Sequence, residues 1–231
     1  MLEHEKGAKI MSKSVYSLVL SDEVVQEIDR LAYRNNTNRS NMINQILADQ
    51  VSLTTPEKRM HEIFERMEAL LLDDDNGRHA FQMQSLPTDT LFSLRSAIQY
   101  KYNPSVRYNV ELYRQIEDGV IGELRVSLRT QNKTLLAALD TFYQIWDGME
   151  QRYFDDLQRS YSNGKYTRRL KLHFRRHPQT DLSGLTVGDV ISSYINTFDK
   201  ALKTFFSSDA EDPSEEISKI YQNYLEGEVF V

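Results

Sequence analysis

The spacing of apolar side chains changes twice within the first fifty or so residues of this chain. Tyr16, Leu18 and Leu20 alternate with Val15, Ser17 and Val19, the two-residue period of a strand over 14–20 with unlike faces. From Ser21 the period lengthens to that of a helix. Val24, Val25, Ile28, Leu31 and Ala32 form one stripe, with Ser21 placed to cap it and Asp22 and Glu23 in its first turn, where negative charge suits the helix dipole. Asn35-Asn36 breaks the stripe, since asparagine tolerates the left-handed backbone that a helix end needs. Asn38 is a fresh cap, and Met42, Ile43, Ile46, Leu47 and Val51 form a second stripe. One short strand and two helices are too small to bury a core alone, so the unit is expected to pair with a second copy.

Thr54-Thr-Pro-Glu57 marks a boundary, with Thr55 as cap and Pro56 opening a third helix whose stripe is Met60, Ile63, Phe64, Met67, Leu70 and Leu71. The run Asp73-Asp-Asp-Asn-Gly77 ends it. That run reads as a solvated helix terminus, because Arg78-His-Ala-Phe81 does not supply the alternating ligands of a calcium loop. Residues 79–130 read as β-rich, with a short strand at 80–84, a hairpin of 97–102 and 106–113 around Asn103-Pro-Ser105, and a strand at 121–129 that places Leu124, Val126 and Leu128 on one face. Residues 87–96 fit helix or strand equally.

A long helix follows, carrying Leu135, Leu136, Leu139, Phe142, Tyr143, Trp146, Met149 and Tyr153, a stripe that reads as core or dimer interface. Thr186 with Asp189 forms a capping box for a helix facing inward through Val190, Ile191, Tyr194, Ile195, Phe198, Leu202 and Phe205. Asp212-Pro213 opens the last helix, with Ile217, Ile220, Tyr221, Tyr224 and Leu225 inward and Gly227 at its end. The expected fold is α+β. A dimeric β-α-α unit occupies 13–53 behind a lead-in of 1–12, and a larger, mostly helical α+β domain with a small antiparallel sheet of three or four strands occupies 56–231.

The order strand, helix, turn Asn35-Asn-Thr-Asn-Arg-Ser40 and helix runs without a gap, and Asn38-Arg39-Ser40 opens the second helix with Ile43 three residues on. Over residues 13–52 this resembles the ribbon-helix-helix superfamily, the group of the Arc and Met repressors. The resemblance implies an intertwined homodimer, or a higher homo-oligomer, whose two strands form an antiparallel ribbon in the major groove of double-stranded DNA. It implies base contacts from the outward positions Lys13, Val15, Ser17 and Val19. It also implies a phosphate held by Asn38, Arg39 and Ser40 at the second helix's N-terminus, a place that suits anions on its own account. The chain departs from the family at the ribbon, where the outward positions usually carry Arg, Lys, Asn, Gln or Thr; valine can only touch a thymine methyl. The expected function is sequence-specific DNA binding in transcriptional repression. The alternatives are an accessory factor of a plasmid or mobile element (partition, copy control or transfer) and an interaction protein that uses the ribbon only to dimerise.

Charge changes this picture in two places. The chain of 231 residues carries 28 Lys and Arg against 34 Asp and Glu, a net −6, which disfavours indiscriminate nucleic-acid binding but leaves room for a local site. Residues 1–52 hold six Lys/Arg and seven Asp/Glu, short of the basic balance that drives phosphate affinity. Residues 157–180 go the other way, with seven Lys/Arg and no acid. Leu170, Leu172 and Phe174 alternate there with Arg169, Lys171, His173 and Arg175, the pattern of a strand with one cationic face. Arg168, Arg169, Lys171, Arg175 and Arg176 are therefore candidate auxiliary contacts to nucleic acid or another anion. The competing reading is an edge strand protected from aggregation by its charge and facing residues 207–231, which hold seven Asp/Glu and one Lys.

Tyr100-Lys-Tyr102 and Arg107-Tyr108 interleave aromatics with cations as single-strand-binding surfaces do, although tyrosine is equally at home in a strand. His173 and His177 would share a helix face as metal ligands, but they lie in a strand-like segment flanked by arginines, so neither a metal nor any other cofactor is expected. The absence of cysteine removes disulfides and thiolate chemistry. No catalytic motif is present, and an enzyme is not expected. Nothing resembles a signal peptide or a bilayer-spanning run, so the expected location is the cytoplasm, with no membrane contact. The larger domain is expected to set higher oligomeric state, bind a protein partner or sense a ligand.

Overall fold

The computed structural model describes residues 15–51, 53–72, 81–174, 186–208, 212–227 and 229–231. The helices are α1 (Asp22–Arg34), α2 (Arg39–Gln50), α3 (Pro56–Leu72), α4 (Lys133–Glu150), α5 (Val187–Ser207) and α6 (Ser214–Tyr224). The strands are β1 (Gln82–Ser85), β2 (Leu91–Ala97), β3 (Ser105–Glu117), β4 (Val120–Leu128), β5 (Arg159–Ser162), β6 (Lys165–Lys171), β7 (His173–Phe174) and β8 (Val229–Phe230).

Short polar side chains set the helix starts. Ser21 accepts from the Val24 amide, Asn38 from Asn41 at 2.9 Å, and Thr55 from Lys58 at 3.1 Å, each satisfying a first-turn N–H that the helix leaves unpaired. Thr186 and Asp189 form the capping box of α5, and Asp189 also accepts from Arg66 of α3 at 2.7 Å, which ties the two helices together.

Strands β1 to β6 form one antiparallel sheet in the order β1-β2-β3-β4-β6-β5, and β7 pairs with β8 separately. Its inner face presents Phe92, Leu94, Val106, Tyr108, Val110, Leu112, Leu124, Val126, Tyr166 and Leu170, all buried against the helical layer. Helix α5 is the centre of that layer, between α3 and α6. The Phe198 ring on α5 lies 5.4 Å from Phe142, 5.0 Å from Trp146 and 5.3 Å from Tyr166, so one aromatic cluster joins two helices to the sheet. The outer face of the sheet is polar and open to solvent.

The α+β class agrees with the sequence reading, and so do the helix positions except that α4 ends at Glu150, short of Tyr153, and α6 starts at Ser214 with Pro213 rather than Asp212 at its cap; the sheet is larger than three or four strands. The additional strands are β5 and β6, and two tight turns shape the sheet. Asn163-Gly164 takes left-handed backbone at both residues (φ 49° and 71°), as a tight I′ hairpin requires, and so adds β5 to β6. Asp118-Gly119 does the same between β3 and β4 (φ 51° and 79°). The basic strand is consequently internal rather than an edge. The hairpin around Asn103-Pro104 exists, but its first strand is Leu91–Ala97 instead of 97–102. Tyr102 and Asn103 adopt positive φ (68° and 42°) and turn residues 98–104 into a loop. The acidic run 73–77 lies outside the described residues. Near the β3–β4 turn the register jumps between Leu112 and Glu117, and the carbonyls of Tyr113 and Arg114 accept from Arg59 of α3 at 3.2 and 3.4 Å. Gly122 faces this bulge; a Cβ there would sit 2.3 Å from the Glu111 carbonyl oxygen, so only glycine fits.

Arg168 corrects the expected cationic face. It points inward with Tyr166 and Leu170 and is fully buried, its Nε 2.8 Å from Oε1 of the equally buried Glu150. Glu150 also accepts from the hydroxyls of Tyr166 (2.5 Å) and Tyr194 (2.9 Å), while Arg168 donates to the Val231 carbonyl oxygen at 2.5 Å. Burial, and then the charge of Glu150, push both tyrosine hydroxyls well above their ordinary pKa. Burial opposes the charge on Arg168, but Glu150 more than restores it. An anion in solvent cannot reach this guanidinium.

Two outcomes test this account. Arg168→Met strands the Glu150 carboxylate without its partner and should cost about 3–5 kcal/mol in urea unfolding; a loss below about 1 kcal/mol would refute the importance of the pair. Partial burial works against the Asp189 carboxylate, but hydrogen bonds from Arg66 and Thr186 outweigh it and hold its pKa at about 2. That lies below the roughly 3.9 of an unfolded chain. The carboxylate therefore stabilises the fold above about pH 4 and loses that effect as pH falls through about 2. Wild type and Asp189→Asn should differ in urea midpoint at neutral pH and converge in acid; a gap that does not depend on pH would contradict the assignment.

Candidate nucleic-acid interface

Residues 15–20 form neither helix nor strand within one chain, and all of them are exposed. Val15 is 100% exposed, Tyr16 82% and Leu18 59%. The strand expected over 14–20 is thus not made by a single chain, which offers its backbone no ladder partner among the described residues; an isolated strand leaves its N–H and C=O groups to water. Lys13 lies outside the described residues.

Behind this segment, α1 and α2 pack on each other through Ile28, Ala32 and Met42, with Leu31 and Ile43 beside them. This cluster is separate from the main core. Asn35 closes α1 and its side-chain amide donates to the Leu31 carbonyl at 2.9 Å, while Asn36 takes the left-handed conformation (φ 50°). Four of the ten residues in the expected apolar stripes remain uncovered in one chain: Val24, Ile46, Leu47 and Val51 are all exposed.

At the start of α2, Asn38 spends its side-chain oxygen on the Asn41 amide. The amides of Arg39 and Ser40 are then the first-turn donors left for an anion. The Arg39 guanidinium is engaged elsewhere. It grips Asp29 of α1 with two hydrogen bonds, 2.7 and 2.6 Å, and holds that carboxyl below its ordinary pKa. Of the three residues expected to clamp a phosphate, one caps the helix and one is ion-paired across the unit. Nothing in the sequence marks the Asp29–Arg39 pair, ten residues apart and on different helices.

The second candidate set is divided. Arg168 is internal, as described above, and Arg175, Arg176 and His177 lie outside the described residues. Arg169 and Lys171 do face outward, but into acidic company. Arg169 stands opposite Glu123 across β4 and β6, and Lys171 is paired with Asp156, whose carboxyl it holds below the ordinary range. Both line an open cleft with Glu111, Glu117, Asp118 and Asp156. His173 is half-buried against the Phe154 ring at 4.6 Å, and burial lowers its pKa. Among the described residues no group of three or more His, Asp or Glu side chains is placed to hold a metal ion. Of the interleaved aromatics, Tyr108 is buried with its hydroxyl donating to Asp199 at 2.9 Å, and Tyr100 packs edge-on to Phe206. Tyr102 alone of these stands free, 89% exposed, with the Lys101 ammonium 5.3 Å from its ring centre.

Comparison with protein-family models, with curated proteins and with solved structures finds no match for this chain. No helix among the described residues is long and apolar enough to cross a membrane.

The Asn38 cap carries a direct expectation. Asn38→Ala should destabilise the α1–α2 unit by about 1 kcal/mol, read as a loss of helicity on mild warming. An unchanged melting profile would show that the cap does not hold α2.

Proposed function

We propose that this chain is a dimeric DNA-binding protein of the ribbon-helix-helix type, used in transcriptional repression. The observation that carries the reading is the exposed, alternating apolar segment 15–20 joined directly to two capped helices with a core of their own. Three buried side chains do not stabilise a unit this small. A second copy would bring a strand partner to residues 15–20 and cover Leu18, Leu20, Val24, Ile46 and Leu47, each fully buried apolar side chain adding about 1.5–3 kcal/mol. The ribbon so formed would present Val15, Ser17 and Val19 to base edges, with Ser17 as the hydrogen-bonding reader and the valines touching thymine methyls. The Arg39 and Ser40 amides, with Asn38, would take a phosphate.

A dimerisation unit without nucleic acid is the second reading, favoured by the Asp29–Arg39 pair and by valines at the outward positions. Two measurements separate these. Sedimentation equilibrium should give a dimer for the wild-type chain and a monomer for Leu18→Asp; a wild-type monomer at micromolar concentration would end both readings. Anisotropy with random duplex at low salt should show binding that Arg39→Ala weakens and Asp29→Asn, which frees the guanidinium, strengthens. A dimer that binds no duplex would leave only the second reading.

A further inference from the structure

In this acidic chain, residues 90–110, 124–139 and 157–180 hold no Asp or Glu. They are far apart in sequence, yet the sheet brings a part of each to one end. Register places Gln82, Arg95, Arg107, Ser127, Lys165 and Ser162 side by side in a single row across all six strands. In an antiparallel sheet, residues directly opposite one another share a face. Val106, Tyr108, Val126 and Tyr166 beside them point into the core, so this row lies on the outer, solvent side. It holds three cations, three neutral polar side chains and no acid. Beyond the row, at the same end, come Lys101 and Tyr102 on the β2–β3 loop, Arg129 after β4 and Lys133 opening α4, all exposed.

Among the described residues, Lys101, Arg107, Arg129, Lys133 and Lys165 enter no ion pair, and Arg95 is hydrogen-bonded only to the neutral Gln82 at 3.0 Å. The opposite end of the same sheet carries Asp89, Glu111, Glu117, Asp118, Glu123 and Asp156. Glu111 and Glu123 bracket Arg125, at 2.8 and 2.5 Å, and neutralise it. The outer face is therefore polarised, and among the described residues no acid pairs with the cations of its positive end. Like charges at adjacent positions across strands are destabilising unless something neutralises them, and Arg95 stands directly opposite Arg107.

We propose that this basic end is a second, sequence-independent contact for the phosphodiester backbone of duplex DNA, distinct from the ribbon. The choice of partner rests on the reading of the chain as a DNA-binding protein; the charge pattern does not. From β2 to β6 the row spans three strand spacings, about 14 Å. That matches about four nucleotides of axial rise along one strand at roughly 3.4 Å each. Serine and glutamine between the cations supply neutral donors for phosphate oxygens. Exposed Tyr102, with Lys101 over its ring, offers an aromatic surface at this end. The N-terminal unit joins the domain at the acidic end, where Arg59 near the start of α3 holds the β3 bulge. Six residues of β3, about 20 Å, separate that anchor from Arg107, so the basic row lies at the end of the sheet away from where the N-terminal unit is attached.

The test uses the full chain and the variant Lys101→Ala/Arg107→Ala/Arg129→Ala/Lys165→Ala, with unchanged thermal melting as the check that the fold is kept. Binding to a random-sequence duplex is followed over a salt series. Each lost phosphate contact removes about 0.9 from the slope of log affinity against log salt, so the variant should lose about 3–4 and bind roughly tenfold or more weakly near 0.1 M salt. Wild-type binding with an unchanged slope in the variant overturns this proposal and leaves the ribbon reading standing. Residual salt-dependent binding by monomeric Leu18→Asp that the fourfold change abolishes supports it independently of the ribbon. No duplex binding by the wild type overturns both. A variant altered only in self-association assigns the row to the acidic end of a second copy and overturns the nucleic-acid contact.

Discussion

The buried pair of Glu150 and Arg168 sets the terms on which the larger domain assembles. Removing either charge from water costs several kcal/mol, and the pair is tolerable only when its remaining lone pairs and protons are all used. Here they are met from every side. Tyr166 comes from the sheet, Tyr194 from α5, and the Val231 carbonyl from the segment that β8 lays against β7. Trp146 of α4 donates to the Tyr194 hydroxyl at 3.0 Å and extends the chain of bonds. Sheet, helices and final segment must therefore be in place together for any of these charges to be satisfied. Asp199 repeats the device on a smaller scale, receiving Tyr108 from β3 and Lys203 from its own helix.

Charge is sorted by location rather than balanced locally. The core holds its ionic groups in closed pairs, the cleft at the β3–β4 turn mixes both signs, and the far end of the sheet is left one-sided. The N-terminal unit follows a different logic, with little of its own core and much of its apolar surface bare. Its uncovered apolar surface and the one-sided end of the sheet are separate features, in different parts of the chain.

Much of the helical framework was legible because the signals are local. Ser21, Asn38, Thr55 and Thr186 each mark a helix start within three residues of the amide they satisfy. The sheet was legible only in part. Asn163-Gly164 and Asp118-Gly119 are two-residue hairpin signatures present in the sequence, and they mark both tight turns and β5. Arg168 was misplaced for a better reason: alternation alone puts it beside Tyr166 and Leu170, but an arginine at an inward position makes sense only once Glu150, eighteen residues earlier, is known to meet it. The basic row was invisible for the same reason. Arg95, Arg107 and Lys165 are scattered along the chain, and only strand register makes them neighbours.

Five residues, 51–55, lie between the end of α2 and the start of α3. Even fully drawn out, so short a leash reaches no more than about 18 Å, and the pairing of Asp49 with Lys58 across it shortens the reach further. Two bulky domains hung from one intertwined base would have no freedom to drift apart. In any assembly held together through the small unit, the girth of the larger domain would therefore limit how closely copies can approach.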